Sequence, residues 1–337
     1  MKSGNVFFRV MLALWMTLSA AAQAETIVLA VPGPGSLAFL PVYLAKAIEA
    51  DHEQGLELKL RYFNGGPLAM RDLMNNNSDF MVIGLPAIAE GRAHGMPVVA
   101  IGQLSQSAMF VLLLRRGLRD QVHSVAQLKD RRIGTSSGTT SERYMGQMMT
   151  EYLIQRAGLK SSDVQFISSG QNRESQSAAL TSATVDAIMG DEPFASELVA
   201  QGVAVKLLDL HPLKQNNDLF GGSMVRAALA TREDIYLQRP ETVKKVQHMF
   251  DLTLQWLSTH SAQEVADKLA GQPGFDATRS KLLIEVLQRN SDMFPTRLAW
   301  DAQAVATAER FFHSMAGSTK ELHLPFANFV HDPVDYN

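Results

Sequence analysis

The chain holds 337 residues, no cysteine, and a formal net charge of −3 at pH 7. That length is long for a single core and comfortable for two lobes. The missing cysteines exclude disulfides and thiolate chemistry, and the near-balanced charge gives no electrostatic footprint for nucleic acid or an anionic membrane.

The first element is a leader. Lys2 and Arg9 precede a short apolar run over 10–18, and Ala22-Gln23-Ala24 forms a small-x-small cleavage site. This order reads as a secretory signal peptide over 1–24, cleaved after Ala24, and it marks the mature protein for export. Cleavage removes two bases and no acids, so the net charge moves from −3 to −5. No other apolar run reaches the roughly 18 residues that a membrane helix needs.

Strands and helices then alternate. The apolar patterning predicts strands at 26–31, 57–63, 80–83, 98–103, 109–114, 132–134, 164–167, 187–189 and 205–208. Helices are expected near 37–50, 67–75, 86–94, 140–157, 173–182 and 193–201. This alternation predicts an α/β fold with largely parallel sheets. Beyond Arg239-Pro240 the pattern turns helical, with helices expected at 240–259, 261–270, 277–289 and 299–316.

An internal echo divides the chain. "SDFMVIGLP" (78–86) and "VDAIMGDEP" (185–193) each place an acid, Asp79 or Asp186, seven residues before a proline, Pro86 or Pro193. Between them lie a short apolar strand and a loop, and the proline opens a helix. Upstream, "LKLRYFNGG" is matched by "DVQFISSGQN", and 27–36 by 133–141, in the same order. Two similar α/β lobes are therefore expected: 25–110 as the first part of lobe 1, 111–215 as lobe 2, and 216–337 returning to lobe 1. Crossovers are expected at 103–118 and 210–226, the second loop-like. One larger sheet with repeating units is the alternative.

In parallel sheets the loops at the carboxyl ends of the strands form the binding crevice. Here those loops are 32–36, 64–67, 84–86, 134–141, 168–173 and 190–193. The first raises a question, because Gly33, Gly35 and Ala38 fit G-x-G-x-x-A, the dinucleotide turn. Its second strand, "ELKLRYF", carries the acid Glu57 at the wrong end, so a nucleotide is disfavoured. A plain turn remains open, as does a small polar ligand held by Ser36 and nearby N–H groups at a helix N-terminus. In the fourth loop, Gly134-Thr135-Ser136-Ser137-Gly138 matches the nucleophile elbow G-x-S-x-G, with Asp186 or Asp209 and then His211 following in hydrolase order. The loop runs on through Thr139, Thr140 and Ser141, later than an elbow allows. Its hydroxyls suit an anion cradle, and a capping box ending in Glu142 accounts for part of it. In the last loop, Asp191 and Glu192 serve either as helix caps or as partners for a ligand's cationic or hydroxyl end. The histidines show no H-E-x-x-H spacing, so no metal or other cofactor is expected.

Taken together, "SLAFLPVYLAKAIEADHEQGLELKLRYFNGGPLAMRDLMNNNSDFMVIG", "LKDRRIGTSSGTTSERYMGQMM" and "VDAIMGDEPFASEL" resemble the substrate-binding components of ABC importers in the nitrate, sulfonate and taurine group. That group includes binders of the thiamine pyrimidine precursor. The resemblance covers about 25–210. It implies a two-lobed, type II periplasmic-binding-protein fold that closes on a small-molecule ligand, without enzymatic activity. It also implies a monomer that hands its ligand to a membrane permease with a cytoplasmic ATPase. By position, Ser36, Leu37, Phe39, Gly65, Gly66, Leu85 and Pro86 would face the ligand from the first lobe. Gly138, Thr139, Thr140, Ser141, Asp191, Glu192 and Pro193 would face it from the second. A sulfonate such as taurine suits both kinds of loop; a thiamine pyrimidine, another amine, or a secreted serine hydrolase using Ser136 are the alternatives.

Overall fold

The computed structural model describes residues 24–135, 145–169, 173–315 and 323–333. Residues 1–23, which carry nearly all of the expected leader, and the Ser136–Ser141 stretch lie outside them. The strands are β1 (Glu25–Pro32), β2 (Leu56–Phe63), β3 (Phe80–Ile83), β4 (Val98–Gln103), β5 (Val111–Arg115), β6 (Arg132–Thr135), β7 (Gln165–Ser168), β8 (Ala187–Gly190), β9 (Ala204–Asp209) and β10 (Ala228–Arg232). In the first half of the chain the helices are α1 (Leu40–Ala47), α2 (Ala50–Glu53), α3 (Gly66–Met74), α4 (Leu85–Ala93), α5 (Met145–Arg156), α6 (Arg173–Thr181) and α7 (Phe194–Ala200). They continue with α8 (Leu213–Phe220), α9 (Glu233–Gln238), α10 (Pro240–Thr259), α11 (Ala262–Leu269), α12 (Ala277–Arg289) and α13 (Ala302–Met315).

Two five-stranded sheets result, ordered β2-β1-β3-β10-β4 and β7-β6-β8-β5-β9. The orders correspond strand for strand, which is the internal echo in three dimensions. Asp79 and Asp186 show why the echo carries an acid at that point. Asp79 accepts a hydrogen bond from the Val28 N–H on β1 at 2.9 Å, and Asp186 accepts one from the Arg132 N–H on β6 at 3.0 Å. Each acid's own N–H donates back to the same residue's carbonyl, at 2.8 and 2.7 Å. The pair fixes the register of the two central strands in each lobe.

The sheets are less parallel than the alternation predicts. β10 runs antiparallel between β3 and β4, and β5 runs antiparallel between β8 and β9. Each is the strand that arrives from the other lobe, so it enters its sheet from the cleft edge and points backwards. The second crossover is also less loop-like than its Asn- and Gly-rich sequence suggests, because it contains α8. Asn216 on α8 is fully buried: its side chain donates to the Leu210 carbonyl and accepts from the Ala108 N–H at 2.8 Å. The two crossovers thus run side by side, joined also through the Ser105 hydroxyl, which accepts from the Arg226 and Ala227 N–H groups.

The core follows the period-2 rule of strands. Leu29, Phe80, Val82, Ile101 and Leu229 pack with Phe250, Leu254 and Leu269 of the C-terminal helices on one face of the first sheet. Ala30, Met81, Ile83, Ala100 and Ala230 face the other way, into a cluster that continues through Phe110 and Met145 to Leu112, Ile133 and Met148 of the second lobe. The C-terminal helices begin where the sequence marks them: Pro240 opens α10, and Ser261 with Glu264 forms a capping box for α11. Among the described residues no helix is long and apolar enough to cross a membrane.

A candidate ligand-binding cleft between the lobes

A cavity of about 380 Å³ lies where the two sheets face each other. The first lobe contributes the loop after β1 (Pro32, Gly33, Pro34, Ser36 and Phe39), the loop after β2 (Phe63 to Pro67), and Ile83, Gly84 and Ala87 after β3. The second lobe contributes Met145 and Gly146, Arg173 with Glu174 and Gln176, and Met189, Gly190, Asp191 and Phe194 around the end of β8. Phe110 and Arg226 rise from the two crossovers, and Arg279 reaches in from α12.

The Gly/Pro loop after β1 owes its shape to packing. Gly33 and Gly35 adopt φ of +56° and +78°, the region that favours glycine. A Cβ on Gly35 would sit 2.5 Å from the Gly274 carbonyl oxygen, so only glycine allows the C-terminal part to approach this closely. The Tyr43 hydroxyl donates to the Gly33 carbonyl at 2.5 Å. Burial pushes the Tyr43 phenol well above its ordinary value, so it remains a donor.

Among the described residues, three polar contacts join the lobes across the cleft. The Ser36 hydroxyl donates to Asp191 Oδ2 at 2.5 Å. The Leu37 N–H donates to the Glu192 carbonyl at 2.8 Å. Arg279 Nε donates to Glu197 Oε1 at 2.8 Å, and the Arg173 guanidinium lies 3.9 Å from the same oxygen.

Of the residues singled out by position, Ser36, Phe39, Gly65, Gly66 and Asp191 line the cavity. Leu37 is buried beside it and reaches the other lobe only through its backbone. Leu85 and Pro86 are buried at the start of α4, and their neighbours Gly84 and Ala87 face the cavity instead. Glu192 points away: it is buried and accepts from the Ser196 N–H and hydroxyl and from Lys206 Nζ. Pro193, joined to Glu192 by a cis peptide, is likewise not part of the lining. Gly138, Thr139, Thr140 and Ser141 fall outside the described residues.

The acids and histidine of the hydrolase alternative are engaged elsewhere. Asp186 is paired with Arg132 and Arg115. Asp209 Oδ1 lies 2.6 Å from His211 Nδ1, and neither residue lines the cavity. Burial alone would raise the Asp209 carboxyl, but hydrogen bonds and charge from His211 and Lys206 hold it well below the usual range. Among the described residues no cluster of His, Asp and Glu could hold a metal ion.

Arg226, like Arg279, is a cleft residue that the sequence pattern does not single out. Its signal is a lone charge inside the apolar run "MVRAALA" over 224–230. Phe110, Met145 and Met189 were also legible only as core.

The profile of the NMT1/THI5-like family matches residues 37–263. A provisionally named binding protein of Brucella abortus (strain 2308) is 27% identical over 197 residues, which cover 58% of this chain. The chain spans 55%, about half, of that relative's length. A solved structure from Bordetella bronchiseptica RB50 superposes with a TM-score of 0.78 at 21% identity, covering 92% of this chain and 95% of that one. The alkanesulfonate-binding protein SsuA from Xanthomonas axonopodis pv. citri, bound to MOPS, gives 0.70 at 17% identity, covering 92% and 99%. The fold is that of periplasmic binding proteins, as the sequence resemblance implies. On the strength of the profile match, the chain belongs to the NMT1/THI5-like family.

Proposed function

We propose that the protein is the periplasmic solute-binding component of an ABC importer. It is a monomer without enzymatic activity that captures a small polar or anionic solute, of sulfonate or taurine type, by lobe closure. It then delivers the solute to a membrane permease with its cytoplasmic ATPase. The observation that carries this reading is the cavity between the lobes, lined from both sides and bridged by Ser36–Asp191. A ligand held there touches both lobes only when they are closed, so it shifts the equilibrium toward the closed form. The ligand-facing set comprises Ser36, Phe39, Gly65, Gly66 and Asp191, joined on sequence grounds by Gly138, Thr139, Thr140 and Ser141. A second reading, a thiamine pyrimidine precursor or another amine, draws on Asp191 and Glu174 in the cavity wall.

The test is thermal unfolding of the mature protein against sulfonates, taurine, nitrate, carboxylates, amines and thiamine pyrimidines. A ligand present at 100 times its dissociation constant adds about 2.7 kcal/mol, which moves the midpoint of a chain this size by a few degrees. A selective shift is expected. Absence of a shift with every compound, together with labelling of Ser136 by a fluorophosphonate, would replace this reading with the hydrolase.

A further inference from the structure

We infer that Arg226 is the anchor for the acidic group of an organic anion with an apolar body; this rests on the solute-binding reading above. Arg226 is 8% exposed and lines the cavity. Its Nε is buried with no hydrogen-bond partner among the described residues. Among the described residues, the other arginines that line the cleft, Arg173 and Arg279, both pair with Glu197. Arg226 instead lies over two rings, 4.4 Å from the centroid of Phe110 and 5.3 Å from that of Phe39. Aromatic faces attract a cation but offer no acceptor in the guanidinium plane. The nearby carboxylate, Asp191, is hydrogen-bonded by Ser36.

Burial pushes the Arg226 guanidinium down to about 10, with Asp191 acting in the opposite direction, so it stays charged at neutral pH. A buried charge without a matched partner is costly, and an anion supplied by a ligand would complete it. The planar fork presents two parallel N–H donors, which suits two oxygens of a carboxylate or sulfonate. Its backbone is fixed by the Ser105 hydroxyl at the crossovers, so both lobes close onto a stationary charge. The cavity walls also carry Phe63, Met145, Met189 and Phe194. At about 380 Å³ the cavity is in the range of organic ligands and far exceeds nitrate or sulfate. Apolar walls around one buried cation therefore favour an aryl or alkyl acid over an inorganic ion.

Calorimetric titration tests this with benzoate, hexanoate, benzenesulfonate and hexanesulfonate, with benzamide and hexanamide as neutral counterparts, and with nitrate and sulfate. At least one organic anion should bind, with its neutral counterpart and the inorganic ions at least tenfold weaker. The carboxylate and sulfonate arms tell which acid the fork prefers. Arg226→Met should cost that anion at least a hundredfold in affinity, and Arg226→Lys, which keeps the charge and loses the fork, about tenfold. The ligand-free thermal midpoint of Arg226→Met should equal or exceed that of the wild type; a purely structural arginine would lower it. Equal anion affinity in Arg226→Met, or no binding by any organic anion, overturns the inference. If an amine or a neutral pyrimidine stabilises both proteins equally, the anchor falls and the solute-binding reading stands. If no solute of any charge does, both fall.

Discussion

The Ser36 hydroxyl meets Asp191 across the cleft, tying the loop after β1 to the loop after β8. A hydrogen bond to a charged group contributes about 1.5–3 kcal/mol. If closure holds the ligand, Ser36→Ala should weaken solute affinity about tenfold, since each factor of ten corresponds to about 1.4 kcal/mol. Calorimetry checks this, and unchanged affinity would remove the pair from the closing contact. Thr140→Ala combined with Ser141→Ala should likewise weaken binding of the same solute. Gly35 answers to packing rather than ligand. Gly35→Ala would combine a left-handed φ with a contact to the Gly274 carbonyl far inside van der Waals range. The backbone cost alone is about 1–2 kcal/mol, so denaturant unfolding should show at least that loss. An unchanged midpoint would mean the loop is free to move.

At the scale of elements, Asp79 and Asp186 perform one job in two lobes. Asp186 also draws in Arg132 Nε and Nη2 and Arg115 Nη2. Asp186→Asn should cost about 1.5–3 kcal/mol by the loss of charge-assisted bonds, and Asp79→Asn a similar amount, both read by denaturant unfolding. The repeat was legible because this acid and the downstream proline recur at fixed spacing. All nine expected strands are present, as are the C-terminal helices. What was not legible was long-range. β10 is five residues, "ALATR", without alternation, and it is a strand only because β3 and β4 flank it. α8 carries two adjacent asparagines that read as a loop, yet Asn216 is buried as a staple between crossovers. The cleft was legible through its loops and not through Arg226 or Phe110, because facing a cavity instead of a core depends on partners more than 100 residues away.

The molecule as a whole is two corresponding lobes on a double crossover, with α13 touching both α4 and α5. Its stability should depend on acid in a defined direction. Burial alone would raise the Asp186 carboxyl, but the bonds from Arg132 and Arg115 hold it below the ordinary value, and Asp209 is lowered further still. A carboxyl lowered on folding stabilises fully above its unfolded value, about 3.9, and that stability is lost as pH falls through the folded value. The thermal midpoint should therefore hold from about pH 7 to pH 5 and decline below about pH 4, and Asp186→Asn should shrink the decline; a midpoint flat to pH 3 would contradict these pairings. Binding of solute between the lobes is tested by calorimetric titration. The solute that stabilises the wild type is titrated into the wild type and into Ser36→Ala/Asp191→Asn. One site per chain is expected, with at least a tenfold loss in the double variant, whose ligand-free protein still unfolds cooperatively. Equal affinity in the two proteins would place the solute elsewhere and contradict it.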